Sequence, residues 1–419
     1  MTERPAQWWK DAKFGLFVHW GPYSQAGVEA SWPIMEPGEH PQISQPDYEA
    51  LADTFNPTEF DATAFAELAR RAGQRYVVFT SKHHDGYCMF DSAFTDYKIT
   101  NSPFGRDICA ELAAACANAQ LPLGFYYSQP DLHHTGYRDT TKPARTNWAG
   151  EATRPEWFGY LAYMKAQLTE LLTRYGNVTQ IWFDGLRSQE RFDPFVLNPW
   201  LRNTWPGLML NDRNGGNHSM GAVPGTAGLL LDPSVWGDFA TPEQHVPDDL
   251  IPNRPWETCM TINDTWAYNP RDTNYKSTGT IIKALVEVVA KGGNLLLNVG
   301  PRPDGTIQPE FWERLDGVGA WLRRNGEGIY GTVHTSIARQ GWGFTTAKGD
   351  DVTYLHVTNW PADGAPLTVE GLDGVITEAT VVADRSAAAF ERAPGGTLSL
   401  TIGTEHRDTD VTVVRVRRA

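Results

Sequence analysis

The sequence predicts an α/β chain in two parts, a (β/α)8-like barrel over residues 1–335 and an antiparallel β-sandwich over residues 336–419. Three observations carry that prediction. Short apolar runs alternate with helix-period segments, the pattern of parallel strands joined by crossover helices. Polar or aromatic residues close one apolar run after another, which is where the active residues of such barrels lie. After about residue 335 the helical segments stop, and short strands follow one another between Gly, Pro and Asp turns.

Each element has its own signal. Phe14 to Gly21 is an apolar run ending in His19-Trp20-Gly21. Thr58 to Gly73 reads as a helix, because Phe60, Ala64, Phe65, Leu68 and Ala69 share a face and Gly73 stands where a helix ends. Tyr76 to Thr80 is the next strand and runs into Lys82-His83-His84-Asp85-Gly86. Asp107 to Ala119 is helical, and Leu121 to Ser128 is a strand. Pro155 to Tyr175 is a long helix with Pro in its first turn and Gly176 after it. The strand that follows ends Ile181-Trp182-Phe183-Asp184-Gly185. Leu208 to Arg213, Thr258 to Asn263 and Asn294 to Gly300 are further strands, with helices at Thr278 to Lys291 and Pro309 to Asn325. That makes seven strands, and the eighth is expected to be degenerate. In the second part the strands are Val352 to Val357, Ile376 to Val382, Leu398 to Thr401 and Val411 to Val414. No long linker separates the parts, so they are expected to pack together.

Composition excludes several classes of function. A net charge of −14 and a pI near 5.2 argue against a nucleic-acid partner, whose phosphates need clustered Lys and Arg. No apolar run reaches transmembrane length, and Met1 to Pro5 lead into no secretory h-region, so no membrane partner is expected. Cys88, Cys109, Cys116 and Cys259 have no zinc-like spacing. They read as free thiols of a cytoplasmic protein. The 16 Trp and 15 Tyr suit the flat apolar faces of sugar rings, although many must be core.

Asp184 is the residue around which the rest is arranged. An aspartate that ends a buried strand, with a turn-forming glycine after it, is held rigidly at the mouth of the barrel. The blocks Phe14 to Gly21, Lys82 to Gly86, Tyr126 to Ser128, Trp182 to Gly185, Trp256-Glu257-Thr258-Cys259, Trp266-Ala267-Tyr268-Asn269 and Gly292 to Gly300 run in order through the barrel. Together they resemble the retaining α-L-fucosidases of glycoside hydrolase family 29. The resemblance implies a barrel plus C-terminal β-sandwich, no metal and no cofactor. It also implies removal of terminal α-linked L-fucose from oligosaccharides or glycoconjugates, with retention.

Retention needs a carboxylate that attacks the anomeric carbon and a second that protonates the leaving oxygen. By resemblance Asp184 is the nucleophile. Trp182, two residues earlier on the same face, is expected to touch the sugar. The acid/base is Glu243, on a polar loop that could swing over the ring, or Glu257, at the start of a strand; Glu243 is preferred as the more reachable. The resemblance places His19, His83, His84, one of Tyr126 and Tyr127, and Arg213 around the fucose hydroxyls. Trp266 falls opposite the C5 methyl. Trp32 or Glu29 contributes from the first loop, where Glu29-Ala30-Ser31-Trp32 departs from the family's commoner Glu-Trp pairing. Two other classes stay open. A metal-dependent hydrolase would use His83, His84, Asp85 and Asp184, although adjacent strand residues point to opposite faces. A non-catalytic fucose-binding protein would keep the pocket without the chemistry.

Overall fold

The computed structural model describes residues 5–35, 43–143, 154–185, 192–214, 237–248, 254–362, 365–393 and 396–419. Residues 1–4, on which part of the reading of the N-terminus rests, lie outside them. Seven parallel strands form the first sheet: β1 (Phe14–Val18), β2 (Val77–Lys82), β3 (Leu123–Ser128), β4 (Val178–Asp184), β5 (Met209–Leu210), β6 (Glu257–Thr261) and β7 (Asn294–Val299). Their order is β5-β4-β3-β2-β1-β7-β6. Every residue of β1, β2, β3 and β7 is buried, which is why these strands read as continuous apolar runs rather than alternating ones.

The open sides of β5 and β6 are joined by residues 238–244. Parallel bridges link Asn211 to Phe239, Ala240 to Trp256 and Glu243 to Cys259. Backbone bonds run from Asp238 to Leu210, from Glu257 to Ala240, and from Gln244 to Cys259. This segment is the degenerate eighth strand. Pro242 within it and Pro255 beside it lack the N–H that a regular ladder needs.

The helices of eleven or more residues among the described residues are α1 (Ala62–Ala72), α2 (Ile108–Asn118), α3 (Arg154–Arg174), α4 (Pro194–Thr204), α5 (Thr278–Ala290) and α6 (Pro309–Asn325). Side chains of Asp61, Asp107 and Ser277 accept N–H bonds at the starts of α1, α2 and α5, and Gly73 ends α1 in the left-handed conformation. The first of these helices therefore starts at Ala62 rather than Thr58, because Asp61 is its cap. Pro199 lies inside α4, so the sequence carries no clean helical signal there. The inner face of α5 buries Ile281, Ile282, Leu285, Val286, Val288 and Val289. Gross of entropy, that is worth on the order of 10 kcal/mol.

Beyond the barrel lie a five-stranded sheet, order β12-β15-β10-β9-β8, and a three-stranded sheet, order β11-β14-β13. Their strands are β8 (Val333–His334), β9 (Gly343–Lys348), β10 (Val352–Val357), β11 (Leu367–Val369), β12 (Ile376–Val381), β13 (Ala389–Arg392), β14 (Leu398–Thr401) and β15 (Thr412–Arg418). Leu355, Val414 and Val416 of the larger sheet meet Leu398 and Leu400 of the smaller one in a separate core. Phe344, Tyr354 and Val413 instead join the core of the barrel, and the Trp321 indole donates to the Val411 carbonyl. The two parts pack directly on each other.

Candidate active site

Asp184 is the last residue of β4, and the turn behind it depends on glycine. Gly185 has φ of 125°, and a Cβ there would lie 2.1 Å from Pro130 Cδ. The strand therefore ends here, with the carboxylate at its mouth. Its Oδ1 accepts from Arg213 Nη1 at 2.8 Å and its Oδ2 from the Tyr126 hydroxyl at 2.9 Å. His84 Nε2 stands 3.7 Å from Oδ2. Burial pushes the Asp184 carboxyl up, but the charge of Arg213 and the bonds from Arg213 and Tyr126 outweigh it, leaving it at about 2.

Arg213 ties a second carboxylate into the same place. Its Nη2 donates to Glu243 Oε2 at 2.7 Å, and its Nε is held by Thr241 Oγ1 at 3.0 Å. The planar fork is buried, over the Trp182 ring at 4.5 Å. Asp184 and Glu243 thus sit on neighbouring nitrogens of one guanidinium. Glu243 is the more open of the two, with 31% of its side chain exposed against 16% for Asp184.

The opposite wall is built of rings. His83 and His84 continue β2 and stand 4.3 Å apart, centroid to centroid. His83 stacks on Tyr126 at 5.5 Å, and His19, at the end of β1, lies 5.8 Å from His83 and 4.9 Å from Trp266. Burial lowers all three histidines, His19 to about 4. Trp266 is half-buried at the rim. Its backbone N–H donates to Glu29 Oε1 at 2.7 Å, and burial pushes that Glu29 carboxyl up to about 7. Trp32, also half-buried, presents its ring edge-on to His84 at 6.4 Å.

A family model described as alpha-L-fucosidase matches residues 1–327. The chain belongs to the alpha-L-fucosidase family. It is 29% identical over 389 residues to the plasma alpha-L-fucosidase of Homo sapiens, covering 85% of this chain and 77% of that one. Among solved structures, alpha-L-fucosidase isoenzyme 1 from Paenibacillus thiaminolyticus is 35% identical, with a TM-score of 0.86 over 98% of each chain. A family 29 alpha-L-fucosidase from Bacteroides thetaiotaomicron, trapped as a covalent intermediate with 2-fluoro-fucosyl fluoride, gives a TM-score of 0.84 at 26% identity. That match covers 100% of this chain and 98% of the other.

Within this fucosidase framework one open choice is decided and two expectations need correction. Tyr127 points away from the site. Its hydroxyl meets Gln167 and Lys82 behind the sheet, where Lys82 and Asp131 form a fully buried ion pair at 3.0 Å. Strand alternation allows only one of the two tyrosines inward, and it is Tyr126. Trp182 does share the face of Asp184, but Arg213 lies over its ring and its indole N–H points down to Glu257 at 3.1 Å. It is the floor of the site rather than a wall against the sugar. Glu243 is not on a swinging loop, since the bridge to Cys259 and the fork of Arg213 fix it.

Glu257 is placed elsewhere altogether. It is wholly buried in the barrel interior beneath Trp182, where the Tyr76 hydroxyl and the Trp182 indole donate to it. Burial pushes its carboxyl up to about 7. Sequence reasoning also missed Asn298, Ser128 and Ser31, each bonded to the Nδ1 of one pocket histidine, at 2.7, 2.6 and 2.8 Å. Asn298 and Ser128 lie at or near the ends of buried strands, and that placement was their only signal. Among the described residues, no three His, Cys, Asp or Glu side chains converge as metal ligands.

Proposed function

We propose that this protein hydrolyses terminal α-linked L-fucose from oligosaccharides or glycoconjugates with retention, using Asp184 as nucleophile and Glu243 as acid/base. One observation carries the reading: a single buried guanidinium holds both carboxylates. Neighbouring nitrogens of one fork suit the short separation, about 5–5.5 Å, of a retaining pair. The two roles divide by environment. Asp184 receives three donors, from Arg213, Tyr126 and Gly185, so it stays ionised and aligned for attack on the anomeric carbon. Glu243 faces solvent, so it can take up a proton, pass it to the leaving oxygen, and then draw one from the water that opens the fucosyl ester. His19, His83, His84 and Tyr126 line the sugar side, and Trp266 offers an apolar plane to the C5 methyl. The four cysteines are free and buried, which supports a reducing compartment such as the cytoplasm.

The test is turnover of an aryl α-L-fucoside with EDTA present, followed by proton NMR. Undiminished activity with α-fucose formed first is the expected result. The β-anomer formed first would make the enzyme inverting, and loss of activity with EDTA would make it metal-dependent.

A further inference from the structure

The bonds behind the pocket histidines fix which way their protons point. His19 Nδ1 lies 2.7 Å from Asn298 Oδ1, and Asn298 Nδ2 donates to the Trp266 carbonyl at 2.7 Å. A carbonyl can only accept, so the amide cannot be turned round, and its oxygen must face His19. His19 therefore carries its proton on Nδ1. The same logic applies to His84. The single proton of the Ser128 hydroxyl goes to the Pro130 carbonyl at 2.6 Å, so the hydroxyl oxygen accepts from His84 Nδ1 at 2.6 Å.

Both rings are buried, and burial disfavours the doubly protonated form of each. A neutral ring with its proton on Nδ1 has a bare lone pair on Nε2. At His84 that lone pair faces Asp184 Oδ2 across 3.7 Å, two acceptors with no proton between them.

We infer that Asn298 and Ser128 are positioning residues that lock His19 and His84 in the Nδ1–H tautomer, so that the pocket selects a ligand whose hydroxyls donate to both rings. This rests on the proposed function only for the choice of L-fucose as the probe. An ether, a fluorine or an acylated oxygen at those two positions brings no proton and meets a lone pair.

The deciding measurement is made on the unliganded full chain labelled with nitrogen-15 in its histidine rings. Long-range proton–nitrogen correlations should show His19 and His84 protonated at Nδ1, the rarer tautomer of free histidine. Protonation at Nε2 in either ring would overturn the inference, and this holds whether or not any variant folds. Ser128→Ala should release His84 toward the Nε2–H form, leave His19 unchanged, and weaken L-fucose binding about tenfold, the value of one hydrogen bond. Titration with L-fucose analogues in which one hydroxyl at a time becomes hydrogen or fluorine supplies the second readout. At two positions the fluoro compound should bind no better than the deoxy compound, because fluorine accepts but does not donate. Full binding of every fluoro analogue would overturn the inference. Absence of any L-fucose binding, with the Nδ1 signature intact, would overturn the proposed function and leave the tautomer assignment standing.

Discussion

Glu243 and Glu257 lie on neighbouring runs of the same barrel wall, yet they live in opposite worlds. Glu243 is level with Cys259, two residues beyond Glu257, about 7 Å along the strand direction. Over that distance the surroundings change from a rim with solvent and an arginine to an interior in which Tyr76 and Trp182 are the bonded donors. The upper glutamate has a cation to hold it and water to supply protons. The lower one has neither, and its carboxyl is pushed up by burial to about 7. Residue type therefore says little about role here; height in the barrel says most of it.

The largest effect expected from breaking this arrangement is at Asp184, the partner of Glu243 on the shared guanidinium. Asp184→Gly should cut turnover on the order of ten-thousandfold or more while the fold persists. Azide should then partly restore cleavage of an activated fucoside and give the β-fucosyl azide, detectable by NMR. Near-normal activity of the variant would remove Asp184 from the mechanism.

Next comes the contrast between the two glutamates. Glu243→Ala should slow an oligosaccharide by about 10²–10⁴-fold but a fluoride or dinitrophenyl fucoside far less, because good leaving groups need no proton. With those activated substrates an added anion should relieve the accumulated intermediate. Glu257→Ala should show neither sign, only a uniform loss or lower stability. If leaving-group dependence and anion rescue follow Glu257 instead, the roles are exchanged.

A smaller effect, on stability, should belong to the buried glutamate. Its carboxyl is raised on folding from 4.5 to about 7, so its protonated form is favoured in the folded state. The resulting stability is fully present below about 4.5 and is lost as pH rises through about 7. Glu257→Gln should remove that loss, on the order of 3 kcal/mol, in urea denaturation across the window. Parallel pH curves for the two proteins would show that Glu257 is ionised at no such cost.

The smallest effect expected is at the rim. Trp266→Ala should weaken hydrolysis of a fucoside relative to the galactoside of the same ring configuration by about 1–3 kcal/mol, the worth of one methyl contact. Equal losses on both substrates would make Trp266 scaffold, like Trp182 below it.

What the sequence determined by itself is everything governed by near neighbours along the chain. Apolar runs of strand length, the helix start at Asp107 and the stop at Gly73 are local choices, and the structure keeps them. Asp184 belongs with these, because a strand end followed by Gly185 places its side chain at the mouth of the strand. What tertiary structure alone decided depends on groups far apart in sequence. Pro242 hides the closing segment from any strand pattern, so it is the flanking Asn211, Trp256 and Cys259 that make it a strand. Alternation leaves Tyr126 and Tyr127 equivalent until the sheet acquires an inside. Glu243 and Glu257 are alike in sequence and separate only once Arg213 arrives on one side and Trp182 on the other, for the energy of a charge depends on the solvent and partners around it.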